Sequence, residues 1–123
     1  MPPLYPGEYP LRKTDKKRER DIVAALTRVC DEALDSSPGF AWITHFVDYG
    51  RFPESLVVVS VFKGDEQLRR ARASKVDERL SALVSAELRA VGISLSAGSP
   101  QIRCDSEEAC EREHGGNWQL RYR

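Results

Sequence analysis

Three sets of residues in this 123-residue chain have types and spacings that could carry chemistry. Cys104, Cys110 and His114 form a C-x5-C-x3-H run, and with His45 they offer the sulfur and nitrogen donors that zinc takes in tetrahedral sites. That spacing matches no known knuckle and contains no CxxC pair, so the buried face of a short helix is the expected place of Cys110, and neither metal nor cofactor is expected. The second set is basic: residues 12–20, RKTDKKRER, hold six basic and two acidic side chains, and RRARASKVDER follows at 69–79. Joined on one face, Arg12, Lys13, Lys16, Lys17, Arg69, Arg70, Arg72 and Lys75 would make a positive ridge suited to phosphates. The competing reading is a solvated helix surface balanced by Glu. The third set is aromatic. Trp42, Phe46 and Phe62 lie in β-forming stretches, where they would stack bases, seat a second copy of the chain, or fill a core.

Catalytic groupings are absent from the sequence pattern, and no enzyme is expected. Neither histidine lies near a nucleophile elbow, SAGSP (96–100) has the spacing of neither a P-loop nor a dinucleotide fingerprint, and Glu107 and Glu108 are adjacent and point apart on a helix. The charge total is zero, so the overall field announces no polyanion partner, and distribution matters more than the sum. Hydrophobic residues make up 41% and charged residues 31%, the balance of a solvated globular chain. No apolar run is long enough to span a bilayer, no membrane partner is expected, and the N-terminus lacks an apolar secretory core. With an odd count of three cysteines this predicts a cytoplasmic address and reduced thiols.

The elements that must position these groups follow from periodicity. Residues 1–12 are proline-rich and read as an extended tail, with a single α/β domain over 13–123. Thr14 offers an N-cap to a helix from about Asp15 to Asp35, which Pro38 and Gly39 bring to an end. FAWITHFVDY and SLVVVSVF read as a hairpin around GRFPE. A second long helix is expected from KGDEQ, with Asp65 as its cap, to Gly92. QIRC is a short strand, and DSEEACEREHGG a short helix with Asp105 and Glu108 at capping-box spacing and Gly115 as its stop. The order α-β-β-α-β predicts an α+β two-layer sandwich with both long helices on one sheet face.

Alternation places Phe40, Trp42, Thr44, Phe46 and Asp48 on one side of the first strand and Ile43, His45 and Val47 on the other. Both sides are apolar, so something must cover the second face: the N-terminal tail with Leu4, Tyr5 and Tyr9, the C-terminal segment with Trp118 and Leu120, a ligand, or a homodimer partner. His45, between Ile43 and Val47, is expected to be a core histidine with a partner, and Asp48 a turn acceptor.

Two resemblances add expectations. TDKK (14–17), GFAWITHFVDYGRFPESLVVVSVF (39–62) and DSEEACEREHGGNW (105–118) resemble a set of small proteobacterial proteins labelled Fis-family transcriptional regulators, over most of the chain after residue 12. The label implies DNA binding and transcription regulation through a helix-turn-helix, for which the residues after Gly92 offer no recognition helix. The element order over about residues 15–104 resembles type II KH modules such as ribosome-binding factor A, which acts on ribosomal RNA. That family's GXXG loop is absent, and Ala90-Val91-Gly92 is the nearest match to the Ala-x-Gly kink of ribosome-binding factor A. The resulting expectation is a noncatalytic nucleic-acid-binding module, RNA before DNA, with a regulatory or ribosome-associated role. The alternative is a homodimeric protein-interaction module using the apolar second sheet face.

Overall fold

The structure, a computed structural model, describes residues 12–123; the expected proline-rich tail lies outside the described residues apart from Arg12. Helix α1 spans Lys13–Ser36 and buries Ile22, Ala25, Leu26, Val29 and Ala33, a stripe at helical spacing. Thr14 is not its cap: the helix opens after Arg12, with no side-chain cap. Strands β1 (Phe40–Phe46) and β2 (Val57–Phe62) form the expected antiparallel hairpin, and Asp48 Oδ1 accepts the Gly50 N–H at 2.9 Å in the connecting turn. Strand β3 (Ile102–Ser106) lies parallel to β2, giving the order β1-β2-β3. Parallel neighbours need a crossover, and α2 (Asp65–Ala73) with α3 (Val76–Ala90) provides it over the face that α1 also covers. The fold is α+β, as the element order predicts.

The second long helix is broken. Ser74 ends α2, and Lys75 takes a left-handed φ of 65° before α3 begins. The cause lies in the apolar spacing. Leu68 and Ala71 are buried on α2, and Val76, Leu80, Val84 and Leu88 on α3. The step from Ala71 to Val76 turns the apolar stripe by about 140° at roughly 100° per residue, so one straight helix would expose one half of it. The interruption therefore falls at Ala73-Ser74-Lys75 and not at Ala90-Val91-Gly92, where α3 simply ends.

A register shift between Phe40 and Trp42 changes the expected facing of the first strand. An extra residue in one strand moves what precedes it to the opposite face. Phe40 accordingly joins the helix-side core, its ring edge-on to Phe62 at 6.1 Å, while Trp42 and Phe46 belong to the other face.

That other face is covered by the chain's own C-terminus. Helix α4 (Glu107–His114) and the single turn α5 (Trp118–Arg121) bring Cys110, Trp118 and Tyr122 onto Phe46, Val59 and Val61. Trp42 meets Trp118 edge-on at 5.0 Å, and Phe46 stacks on Tyr122 at 5.2 Å. Leu120, expected to share this cover, is 41% exposed. Capping differs from the expectation too: Ser106, not Asp105, caps α4 by accepting the Ala109 N–H, and Gly115 ends it in a left-handed conformation. Asp105 stays in β3, where Arg121 grips it with Nε at 2.5 Å and a second nitrogen at 3.0 Å, and Tyr122 donates its hydroxyl at 2.6 Å. Burial alone would raise the Asp105 pKa, but the hydrogen bonds from Arg121 and Tyr122 outweigh it and hold the carboxyl below its ordinary value.

Candidate functional site

The zinc-type set does not assemble. Cys104 packs against the helix-side core and Cys110 is buried on the opposite face of the sheet, while His114 Nδ1 sits 3.1 Å from an Arg121 nitrogen. No group of three or more potential ligands comes together among the described residues. His45 is 2% exposed, with Nε2 2.9 Å from Glu19 Oε1, which also accepts the Tyr49 hydroxyl at 2.8 Å.

The aromatic set is likewise divided. Phe62 is fully buried beneath the helices, Phe46 is 6% exposed under Tyr122, and Trp42 is half-buried against Trp118. Three rings on two faces make no stacking platform or dimer seat, because the C-terminal turn already occupies the face on which two of them lie.

The basic residues fall into two groups at opposite edges of the sheet. Arg12, Lys13, Lys16 and Lys17 occupy the first turns of α1, beside the Asp48–Gly50 turn, whereas α2 with Arg69, Arg70, Arg72 and Lys75 after it packs toward β3. Helix α3 contacts both α1 and α2 and lies between them, so the expected continuous ridge is interrupted. Several of these cations are also engaged locally. Arg69 and Arg70 both bind Glu66, at 2.5 and 3.0 Å, and hold its carboxyl down at about 2; Lys17 binds Asp21 at 2.7 Å. The acidic 105–113 segment serves its own neighbourhood: Glu113 pairs with Arg112 and Arg121, and Glu108 accepts the Asp65 N–H. Asp65, expected as a cap, instead accepts from Ser106 and Arg112, which lower its pKa in that order.

What the sequence reading missed is a cleft of about 580 Å³ between the α2–α3 break and β3. Arg72, Asp77, Glu78 and Ser81 form its helical wall, Gly98 and Ala97 its end, and Ser60, Ile102, Arg103 and Cys104 its sheet side. Strand β3 pairs on one side alone, so its outer edge borders the opening. The loop is fixed in place by Ser81 and Ser85, which accept the Gly98 N–H at 2.8 Å and donate to the Leu95 carbonyl at 2.6 Å respectively. Of the expected cations, Arg72 lines this cleft and Lys75 sits in the turn between Arg72 and Asp77. Burial, and then the Asp77 carboxylate, push the Cys104 thiol up to about 11, so at neutral pH it is a protonated wall group and a poor nucleophile. The signal that would have pointed to the helix break bordering the cleft is the five-residue apolar step from Ala71 to Val76.

No helix among the described residues is long and apolar enough to cross a membrane. No family model matches the chain, and neither a curated protein nor a solved structure matches it.

Proposed function

We propose that the protein is a noncatalytic module that binds single-stranded nucleic acid, RNA before DNA, along the cleft between the α2–α3 turn and the outer edge of β3. The observation that carries this reading is the cleft itself: a groove open along a strand edge, with Arg72 on its wall and Lys75 at its turn. Its volume lies within the range of small-ligand sites, and a strand edge next to a cationic turn offers base-edge partners on one side and phosphate partners on the other. The interrupted helix supports the type II KH-like resemblance, with the break at Ala73-Ser74-Lys75 in the role of the Ala-x-Gly kink and Lys75 in the left-handed conformation that glycine ordinarily holds. RNA rather than DNA, and a ribosome-associated role, are what that resemblance implies.

The lining is mixed in charge, since Asp77 and Glu78 accompany Arg72 and Arg103, so phosphate contacts are few. Two of them, from Arg72 and Lys75, give a salt slope of about −1.4 on a single strand. Fluorescence anisotropy against labelled single-stranded RNA, structured RNA and duplex DNA, at low and near-physiological salt, tests this. Salt-dependent binding with preference for the single strand, weakened more by Arg72→Glu than by Lys13→Glu, is the expected result. No binding even at low salt removes the reading.

A further inference from the structure

We propose that the outer flank of α1 is a dimer seam, covered in solution by the same flank of a second copy of the chain running antiparallel to it. One side of α1 faces the core through Ile22, Ala25, Leu26, Val29 and Ala33, and another faces α3, where Arg28 Nε binds Glu87 at 2.7 Å. The remaining flank borders β1 and carries Lys16, Arg20, Val23, Thr27, Cys30 and Leu34. Steps of four, three, four, three and four residues join them, the seam spacing of a coiled coil. Val23 is 41% exposed and Leu34 57%, and the other large hydrophobic residue exposed among the described residues is Leu120, at the far end of the chain. Thr27 donates its hydroxyl to the Val23 carbonyl at 2.7 Å, so the middle of the seam holds no unsatisfied hydroxyl.

The charges name the occupant. Lys16, Lys17 and Arg20 mark the N-terminal half of the flank and Asp31 and Asp35 the C-terminal half, so two copies are complementary when antiparallel and set like charges together when parallel. A two-fold axis through the middle of the seam puts Val23 opposite Thr27, Arg20 opposite Cys30, and Lys16 opposite Leu34, whose side chain the lysine stem covers. Lys17 and Arg20 then reach the partner's Asp31; Arg20 and Asp31 have no ion-pair partner of their own among the described residues. A groove of about 170 Å³, walled by Val23, Thr27 and Cys30 and floored by Ile43, receives the partner's Val23. Beside it, β1 pairs on one side alone, and its seven residues include no Lys, Arg, Asp, Glu or Pro, so this edge lacks the protection that β3 has. The seam from Lys16 to Leu34 is about 27 Å long and narrower than a standard interface, which makes the dimer weak, with a dissociation constant of about 10 µM.

Sedimentation equilibrium of the full chain without nucleic acid tests this, so its outcome is separate from that of the RNA reading. The expected result is a shift from the 13.9 kDa chain mass toward twice that value as concentration passes about 10 µM. Val23→Glu and Leu34→Glu, both at exposed positions, should each weaken the dimer at least about tenfold, while Leu120→Glu leaves it unchanged. Arg20→Asp and Asp31→Arg should each weaken it, and the double exchange Arg20→Asp/Asp31→Arg should restore it, because antiparallel copies then pair with the signs reversed. A monomer up to about 1 mM overturns the proposal. A dimer that survives both Val23→Glu and Leu34→Glu overturns this flank as its seam. Single exchanges that weaken the dimer without rescue by the double one overturn the antiparallel pairing. Circular dichroism matching the parent separates a lost dimer from a misfolded chain, and the charge exchanges, on fully solvated side chains, carry the test if a glutamate variant fails to fold.

Discussion

Replacing Lys75 by glycine should make the protein more stable and a weaker binder. Lys75 holds φ at 65°, where a side chain carrying Cβ costs about 1–2 kcal/mol relative to the right-handed region. Glycine removes that strain, and gives back about 0.4–1 kcal/mol through the larger freedom of the unfolded chain. The net gain is about 0.5–1 kcal/mol. For a chain of this length it raises the melting temperature by about 2–4 °C. The ammonium is exposed, so little packing is lost with it. If that ammonium contacts a phosphate, its removal also flattens the salt dependence of RNA affinity by about 0.7 in slope and weakens binding several-fold at low salt. Thermal unfolding followed by circular dichroism reads the first effect, and anisotropy over a salt series the second. A lowered melting temperature would refute the account of the helix break. A raised one with unchanged affinity and slope would remove Lys75 from the interface and leave Arg72 as its remaining cation of the original set.

The C-terminal cover makes two further predictions. Arg121→Met leaves the buried Asp105 without its charge partner, with only the Tyr122 hydroxyl and the Ser106 N–H still donating to it, and should cost about 3–5 kcal/mol, with the double variant Asp105→Leu/Arg121→Met recovering much of the loss; urea midpoints measure both. Because the folded Asp105 pKa lies below its unfolded value of about 3.9, its contribution is complete above that pH and disappears as pH falls through the lower folded value. Tryptophan fluorescence should therefore hold steady from neutrality down to the unfolded value of about 3.9 and change only as pH falls further, and a midpoint near 6 would contradict this. Thr44 is fully buried with its hydroxyl unpartnered, so Thr44→Val should stabilise by about 1 kcal/mol, and a destabilisation would reveal a hydrogen bond that the structure lacks.

The extent to which the fold is legible in the sequence depends on how local the deciding physics is. The hairpin and α1 follow from alternation and from the 22-25-26-29-33 stripe, both properties of a few neighbouring residues. The covered second face follows from two apolar sides on one strand, although which segment covers it does not, because Trp118 and Leu120 look alike until α5 fixes their directions. The bulge at Phe40–Trp42 depends on pairing with β2 and moves Phe40 alone, whereas Phe62 parts from Trp42 and Phe46 because the hairpin register sets those two opposite Val61 and Val57, on the other face of β2 from Phe62. The break at Lys75 was present as a five-residue step, but helix-forming residues on both sides of it concealed the change of phase. The cationic set was visible as composition; its division by α3 is a consequence of packing and has no counterpart in the linear order.

The same packing argues for a nucleic-acid strand, rather than another β-strand, at the edge of β3. An unpaired edge invites strand addition unless it is short, charged or obstructed. Strand β3 has five residues, includes Arg103 and Asp105, and has the α2–α3 turn beside its outer edge. The guanidinium of Arg103 lies 5.8 Å from the Tyr122 ring, and its Nε donates to Pro100 at 2.7 Å, so the side chain is held in place near the edge. An incoming β-strand would have to match the register of five residues and displace the turn that carries Lys75. In the proposed complex a single nucleic-acid strand would need no register with the ladder, because it would meet the edge through bases and the turn through phosphates. Its fit depends on groove width and on where the cations lie. A complex in which a peptide extended the sheet at β3, with Lys75 displaced, would contradict this and turn the cleft into a protein-binding site.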